Sequence, residues 1–418
     1  MKLNGFIFIL LFCTTACGQS DWLSKNTHEL KPGNTYNFEA LGKKIGNKKI
    51  IAIGESTHGL GEFYTLKSEL VKYLHREHDY EILAFEAGLG DVNLAWMNID
   101  SLSSQELMKQ TIFQNFQCKE IEPLFEYLKS ESNSDGPLIY AGFDTQRSSN
   151  YFVSQLKEVL KSYNPSVNTS QSGNTFTDTL DIGLSYYYKM AQAMRQDDSL
   201  GYIQCRNSFS ETVREAKRIL QKHEEVILER EKPTALQFQV MIRTLDSFLA
   251  SVDLSYENRY DGSLLRDELM AANFKWLIEE LYPNKKVIIW AHNAHLEKAN
   301  RNPNYKWMGH FLKETYGEEY YALGLFANKG TAFRFWDREL VDFEQIDSTF
   351  ISKKMTATKK NTSFLDLSNL SKNKSNAWLF EEVSAFEMEN GGVVNFIPVE
   401  RFDGIITLRE SGSPTFKK

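Results

Sequence analysis

Two carboxylates and three imidazoles stand where apolar runs of this sequence end. Glu55 and His58 follow "IIAIG", Glu86 ends "ILAFE", and His292 and His295 follow "KKVIIWA". A neutral imidazole can take a proton from water, and neighbouring carboxylates can orient the ring and stabilise its cation. Because ligands bind at the carboxyl ends of strands in open parallel sheets, we expect these groups to form one hydrolytic site.

Two chemistries fit this set of residues. Without a metal, one histidine activates water, and a second histidine or Lys67 stabilises the developing oxyanion. With a metal, His292 and His295 join His58 or Glu55 around a divalent ion that activates water. We favour the first chemistry and predict no metal and no cofactor, because His-x-x-His is a loose metal pattern. The sequence has no Gly-x-Ser-x-Gly, Walker or Gly-x-Gly-x-x-Gly motif.

Each of these residues also has a structural interpretation. Glu55 could cap the helix that follows it, and His58 could be a hydrogen-bonded core imidazole. Glu86 could pair with Lys67 and only brace the sheet. Taken singly the signals are weak, and their convergence at strand ends is what indicates a site.

The histidine pair needs a particular backbone geometry. His292 and His295 point to opposite faces for as long as the strand continues. They converge only if the strand breaks after Ala291, and Asn293 permits such a break.

Apolar runs separated by helical patterns predict the fold. The runs lie at residues 49–54, 80–86, 137–143, 285–291, 320–326 and 404–408. Strands that are apolar throughout are typical of sheets covered on both faces. The sequence therefore predicts an α/β fold with a mostly parallel central sheet.

The segments between the strands predict the domain organisation. Residues 180–255 are helical in character and predict an insertion, a lid or cleft wall, within one α/β domain at 21–418. Residues 164–178 are rich in Ser, Asn and Thr without a period, which predicts a loop. Residues 353–374 are rich in lysine and predict an exposed connection.

Composition excludes one class of partner. The chain has 418 residues, of which 42% are hydrophobic and 25% charged, with a formal net charge of −7. Such a chain lacks the basic footprint of a nucleic-acid binder. Downstream of the first twenty residues only Cys118 and Cys205 remain, either as one disulfide or as two buried thiols.

The N-terminus has the pattern of an export signal. Lys2 precedes an apolar run that ends in Thr14-Thr15-Ala16-Cys17-Gly18. Residues 1–17 therefore predict a lipoprotein-type signal peptide, and a lipidated Cys17 would anchor the protein to a membrane surface in the cell envelope. Thr14 replaces the usual Leu three residues before the Cys. The alternative is cleavage near Gly18 and secretion to the periplasm.

Several segments, in order, resemble the erythromycin esterase family. They are "GESTHGLGEFYTLKSELVKYL", "ILAFEAG", "AGFD", "LLRDELMAANFKWL", "WAHNAHL", "MGHFLKETYG" and "RFDGIITL". The resemblance extends from about residue 50 to residue 407. It implies a three-layer α/β/α fold with large helical insertions, and hydrolysis of the macrolactone ester of macrolide antibiotics without a metal.

The resemblance also implies roles for residues of this chain. The family's essential histidine, a general base, falls on His58, its partner glutamate on Glu55 and a further acid on Glu86. The paired histidines fall on His292 and His295. A basic residue that is often Arg falls on Lys67, which keeps the charge but loses the planar fork for bidentate contacts. Lys67 and Arg266 are the predicted substrate- or oxyanion-binding residues.

These observations predict an exported hydrolase that inactivates macrolides and so confers antibiotic resistance. Its partners would be a small ester and water. One alternative is a metal-dependent hydrolase that uses the same residues on another ester. The other is a surface lipoprotein that binds a ligand, such as a glycan or porphyrin, without turning it over.

Overall fold

The structure is a computed structural model that describes residues 19–31, 36–46, 48–163, 176–229, 233–299 and 305–416. The predicted signal peptide, with Cys17, lies outside these residues, as does most of the predicted loop 164–178. The described chain forms two compact units. The first contains the described residues up to Leu83, Asn115–Leu138 and those from Lys285 onward. The second contains the described residues of Ala84–Gln114 and Ile139–Asn284.

The named strands of the described chain are, in chain order, β1 (Thr27–Glu29), β2 (Ile50–Ile53), β3 (Tyr80–Gly88), β4 (Ile139–Asp144), β5 (Lys286–Trp290), β6 (Tyr320–Ala327), β7 (Lys329–Arg334), β8 (Glu339–Glu344), β9 (Thr362–Asp366), β10 (Val383–Glu387), β11 (Gly392–Phe396) and β12 (Gly404–Leu408). The α-helices that follow β1 include α1 (Glu39–Ile45), α2 (Gly61–His78), α3 (Leu89–Met97), α4 (Ser104–Thr111), α5 (Glu122–Glu131), α6 (Tyr151–Tyr163), α7 (Phe176–Arg195), α8 (Ser199–Lys222), α9 (Glu224–Leu228), α10 (Ala235–Ser251), α11 (Gly262–Trp276), α12 (Asn293–Leu296), α13 (Met308–Tyr316), α14 (Ile351–Met355) and α15 (Pro398–Arg401).

A mostly parallel sheet forms the centre of the first unit. Its strand order is β1-β9-β12-β6-β2-β5-β3. β2 pairs in parallel with β5 and β6, and β12 pairs in parallel with β6. β9 runs antiparallel to both β12 and β1. From Ala84 onward β3 belongs to the second unit, where β4 is its neighbour.

Continuous apolar sequence explains the central strands. Every residue of β2, β6 and β12 is buried, so these strands have no polar face. Each of the six predicted runs overlaps an observed strand. The prediction of an α/β fold with a mostly parallel central sheet is therefore confirmed.

The prediction for residues 353–374 is wrong. This segment contains β9, a buried strand between β1 and β12, rather than an exposed connection. Phe364 and Leu365 are almost fully buried. The apolar run is short and the lysines on either side of it dominate the composition, so the average polarity of the segment concealed the strand.

Helices α7, α8 and α10 occupy the segment predicted as a helical insertion, within the second unit. Its function as a lid or cleft wall stays a prediction. Cys118 and Cys205 are both free thiols, so the two do not form a disulfide. None of the described helices is long and apolar enough to cross a membrane.

Asn293 joins the segments that follow β2 and β5 to strand β6. The backbone N–H of Asn293 donates to the carbonyl of Glu55 at 2.8 Å. The side-chain amide of Asn293 bonds the carbonyl of Leu325 at 3.0 Å and accepts from its N–H at 3.2 Å. The amide lies so close to Gly54 that a Cβ there would stand 2.0 Å from its oxygen. Asn293 therefore fixes where the segments after β2 and β5 leave the sheet.

We expect Gly54→Ala to lower the free energy of unfolding by about 1–3 kcal/mol, because the added methyl overpacks against Asn293. Urea denaturation followed by circular dichroism measures this. Gly136→Ala is the control, since a Cβ at Gly136 meets nothing within 4 Å. Equal stability of the two variants would contradict the role given to Asn293.

Candidate active site

The carboxylate of Glu55 is buried away from water and contacts two other side chains. Its side chain is 0% exposed. One oxygen lies 2.8 Å from Nδ1 of His58, and the other accepts from Nζ of Lys67 at 2.7 Å. A buried carboxylate is stable only when it is paired and hydrogen-bonded, and the Lys67 ammonium provides that pairing for Glu55.

Lys67 reaches Glu55 from helix α2. It is fully buried, its ammonium also lies 3.4 Å from the carbonyl of Ala291, and it lies 4.3 Å from the centre of the Trp290 ring. Lys67 therefore balances the charge of Glu55 beneath the surface, and its contact with substrate stays a prediction.

His58 presents one ring nitrogen to Glu55 and keeps part of its side chain exposed, 16%. A carboxylate accepts hydrogen bonds, so Nδ1 carries the hydrogen and Nε2 carries the lone pair of the neutral ring. The ring packs edge-on against Phe116 at 5.1 Å and His292 at 5.2 Å between centroids. This arrangement suits a general base that acts through Nε2.

The backbone around His58 is held on both sides. The Tyr64 hydroxyl donates to the carbonyl of His58. The N–H of Phe333 in β7 donates to the carbonyl of Gly59 at 2.9 Å. A Cβ at Gly59 would stand 2.1 Å from the Phe333 carbonyl oxygen, so only glycine allows this close approach. The loop that carries the base is therefore rigidly positioned.

His292 is the residue that caps α12, and its tautomer follows from that position. Its Nδ1 accepts the N–H of Ala294 at 3.2 Å, so the hydrogen of the neutral ring lies on Nε2. β5 ends at Trp290, so the strand break expected before the histidine pair is present. His58 and His292 thus carry their hydrogens on opposite nitrogens, which suits one as base and the other as donor.

His295 lies one turn beyond His292. Its N–H donates to the carbonyl of His292 at 3.1 Å. Its ring packs edge-on against Trp307 at 5.5 Å, and Trp307 in turn packs against Tyr305. His295 therefore belongs to the same segment as His292 with an aromatic contact of its own.

Glu389 is a residue of this site that the sequence did not indicate. It lies in the turn between β10 and β11, and its Oε1 accepts from the Thr57 hydroxyl at 3.1 Å and from the N–H of His58 at 3.2 Å. Its Oε2 lies 3.7 Å from Nε2 of His292. Burial raises the pKa of Glu389, but the nearby His292 ring and the positive charges that both histidines can carry outweigh it and hold the pKa at about 2.

One signal could have pointed to this turn. Asn390-Gly391 between two runs of alternating polarity is typical of a β-hairpin. The hairpin was therefore predictable, but nothing in its sequence indicated that Glu389 faces residues more than 300 positions earlier.

The second unit holds the remaining predicted site residues in a charge cluster. Arg266 of α11 donates to both oxygens of Asp144, at 3.0 and 2.5 Å, and to Glu86 at 3.1 Å. Burial lowers the pKa of Arg266, but the charges of Asp144 and Glu86 outweigh it and raise it further above its usual value. Asp144, fully buried, fixes the guanidinium through a two-point contact. It was not among the predicted site residues.

No group of three or more His, Cys, Asp or Glu side chains in the described part of the chain is arranged to hold an ion.

A family model described as erythromycin esterase matches residues 75–411, more than three quarters of the chain. The chain belongs to the erythromycin esterase family. Membership places it among hydrolases and confirms the resemblance on which the sequence prediction drew. The matched range begins after Glu55 and His58, so the assignment of the base depends on geometry rather than on that match.

Related proteins agree with the family. "Putative hydrolase YbfO" of Bacillus subtilis (strain 168) is 29% identical over 406 residues, covering 93% of this chain and 90% of that protein. "Erythromycin esterase type II" of Escherichia coli is 20% identical over 317 residues, covering 72% and 74%. A crystal structure of a Bacillus cereus protein has a TM-score of 0.74 at 20% identity, covering 96% and 99%, which shows a shared fold.

We expect Lys67→Met to lower the free energy of unfolding by about 3–5 kcal/mol, because it leaves the buried Glu55 charge uncompensated. The double variant with Glu55→Gln should recover most of the loss. Urea denaturation measures all three proteins.

Lys43→Met is the matched control, since Lys43 forms an exposed pair with Glu39. We expect it to have no measurable effect. A Lys67→Met variant as stable as this control would contradict the view that the buried pair is essential.

Proposed function

We propose that this member of the erythromycin esterase family hydrolyses a carboxylic ester, the macrolactone ring of a macrolide antibiotic, with water activated by His58 and without a metal. The observation that carries the proposal is the 2.8 Å contact between Nδ1 of His58 and Glu55, whose charge Lys67 balances. It leaves Nε2 as the basic nitrogen of a partly exposed imidazole.

The reaction needs two proton transfers. Nε2 of His58 takes a proton from water while the hydroxide oxygen attacks the ester carbonyl carbon, which gives a tetrahedral intermediate. Glu55 stabilises the imidazolium through its contact with Nδ1. The carbon–oxygen bond to the leaving alcohol then breaks, and His58 returns the proton to that oxygen. The product is a hydroxy acid with one added water.

His292 supports the same reaction as a donor. Its Nε2–H lies on the side of the ring away from the bond to Ala294, and its ring lies edge-on to that of His58. In this proposal it donates to the oxyanion that forms on the carbonyl oxygen. His295 keeps the assisting role that the resemblance implies, and the roles of Glu86 and Arg266 stay predictions.

The proposal that the substrate is a macrolide is supported mainly by a related protein. The name of the Escherichia coli relative supports it, as does the aromatic ring of Phe116 beside His58, which suits an apolar substrate. Destruction of such a compound would protect the cell from the antibiotic.

We expect incubation with a panel of fourteen- and sixteen-membered macrolides and simple lactones to convert at least one of them to a product heavier by one water. Mass spectrometry measures the conversion. His58→Ala should lower kcat by at least about 100-fold, because general base catalysis is lost.

His28→Ala, at an exposed position of β1, is the control and should keep the wild-type rate. Substantial turnover by His58→Ala would remove the mechanism. Loss of activity on chelation and dialysis would favour the metal-dependent alternative. Measurable affinity for a ligand that stays unchanged would favour the binding protein.

We propose in addition that the protein works in the cell envelope, anchored through a lipidated Cys17. The charged start, apolar run and small residues before Cys17 support this. An acyl-modified cysteine would hold the protein at a membrane surface without a spanning helix.

We expect the full-length protein to sediment with membranes and Cys17→Ser to move it to the soluble fraction, since the variant lacks the acyl acceptor. Fractionation followed by immunoblotting measures this, and Cys118→Ser is the control. A wild-type protein found wholly in the soluble fraction would contradict the anchor.

A further inference from the structure

Glu389 makes contacts that its position in a surface turn does not require. A glutamate in a hairpin turn usually faces water, yet the side chain of Glu389 is only 23% exposed. Both of its oxygens face the segments that carry His58 and His292. An ordinary turn would be equally stable with this carboxylate in solvent.

The two oxygens have different partners. Oε1 accepts from the hydroxyl of Thr57 and the N–H of His58, and so fixes the backbone immediately before the base. Oε2 faces Nε2 of His292, the nitrogen that carries the hydrogen. One carboxylate therefore contacts the two histidine segments at once.

Charge explains why a carboxylate suits this place. The rings of His58 and His292 lie 5.2 Å apart, so a proton on one opposes a proton on the other. A negative charge beside both offsets that repulsion. Tyr64 also interacts electrostatically with Glu389. Burial raises the pKa of Tyr64, so its phenol stays neutral and adds no competing charge.

We propose that Glu389 is a positioning residue. It fixes the His58 and His292 imidazoles relative to each other and balances the positive charge that the two rings gain on protonation. The role rests on the proposed hydrolytic function of the site. Glu55 contacts Nδ1 of the His58 ring, whereas Glu389 contacts the backbone N–H of His58 and the ring of His292. The site thus has two carboxylates for two imidazoles.

The test measures the titration of His58 directly and needs no substrate. We expect Glu389→Gln to lower the titration midpoint of His58 by about one pH unit, because the variant keeps the shape and loses the charge. Two-dimensional NMR of labelled histidine in the folded protein measures the midpoint, with His58→Ala to assign the signal. Glu389→Asp keeps the charge and should restore most of the shift.

Glu382→Gln is the matched control, since Glu382 precedes the same hairpin and is exposed. A midpoint unchanged in Glu389→Gln, or lowered equally by the control, would overturn the proposal. So would a purely steric pattern, in which Gln preserves the midpoint and Asp does not.

A hydrolysed substrate, once found, gives a second readout. The acidic limb of kcat/KM should move to lower pH in Glu389→Gln by the same amount as the NMR midpoint, with KM unchanged. A limb that stays in place would count against the proposal. A panel with no hydrolysed compound would remove the proposed function, and the NMR result would still decide the electrostatic role.

Discussion

The buried charge of Glu55 is the constraint on which the rest of the first unit's site depends. A carboxylate without water needs a cation and a full set of hydrogen bonds. Lys67 supplies the cation from helix α2, and His58 takes the other oxygen. The direction of the His58 ring, and with it the nitrogen left for chemistry, follows from where this charge is fixed.

The sheet provides the geometry that the charge requires. Gly54 and Asn293 close the end of β2 against β5 and β6, so residues 55–58 and 291–295 leave the same edge. This is the edge at which parallel sheets place their ligands. Because Gly54 admits no side chain and Asn293 has three backbone partners, small changes at either position would move both histidine segments together.

The sequence allowed the strands and the Glu55–His58 segment to be predicted, because continuous apolar runs end abruptly in ionisable residues. It also indicated His292, through the strand break at Asn293. Other features escaped prediction for physical reasons. The pairing of Lys67 with Glu55 was not predicted, since one sequence cannot reveal burial, and β9 was concealed by flanking lysines. Glu389 depends on a contact that only the tertiary fold creates.

The position of the Glu389 hairpin late in the sequence has a consequence for the folding of the protein. Thr57 and Glu389, which are hydrogen-bonded in the folded chain, are 332 positions apart. Contacts of such long range form late, after loops of that size have closed. While the chain is being synthesised, Thr57 and His58 are present long before Glu389 has been added. The contact between these two segments can therefore form only after residue 389 has been synthesised.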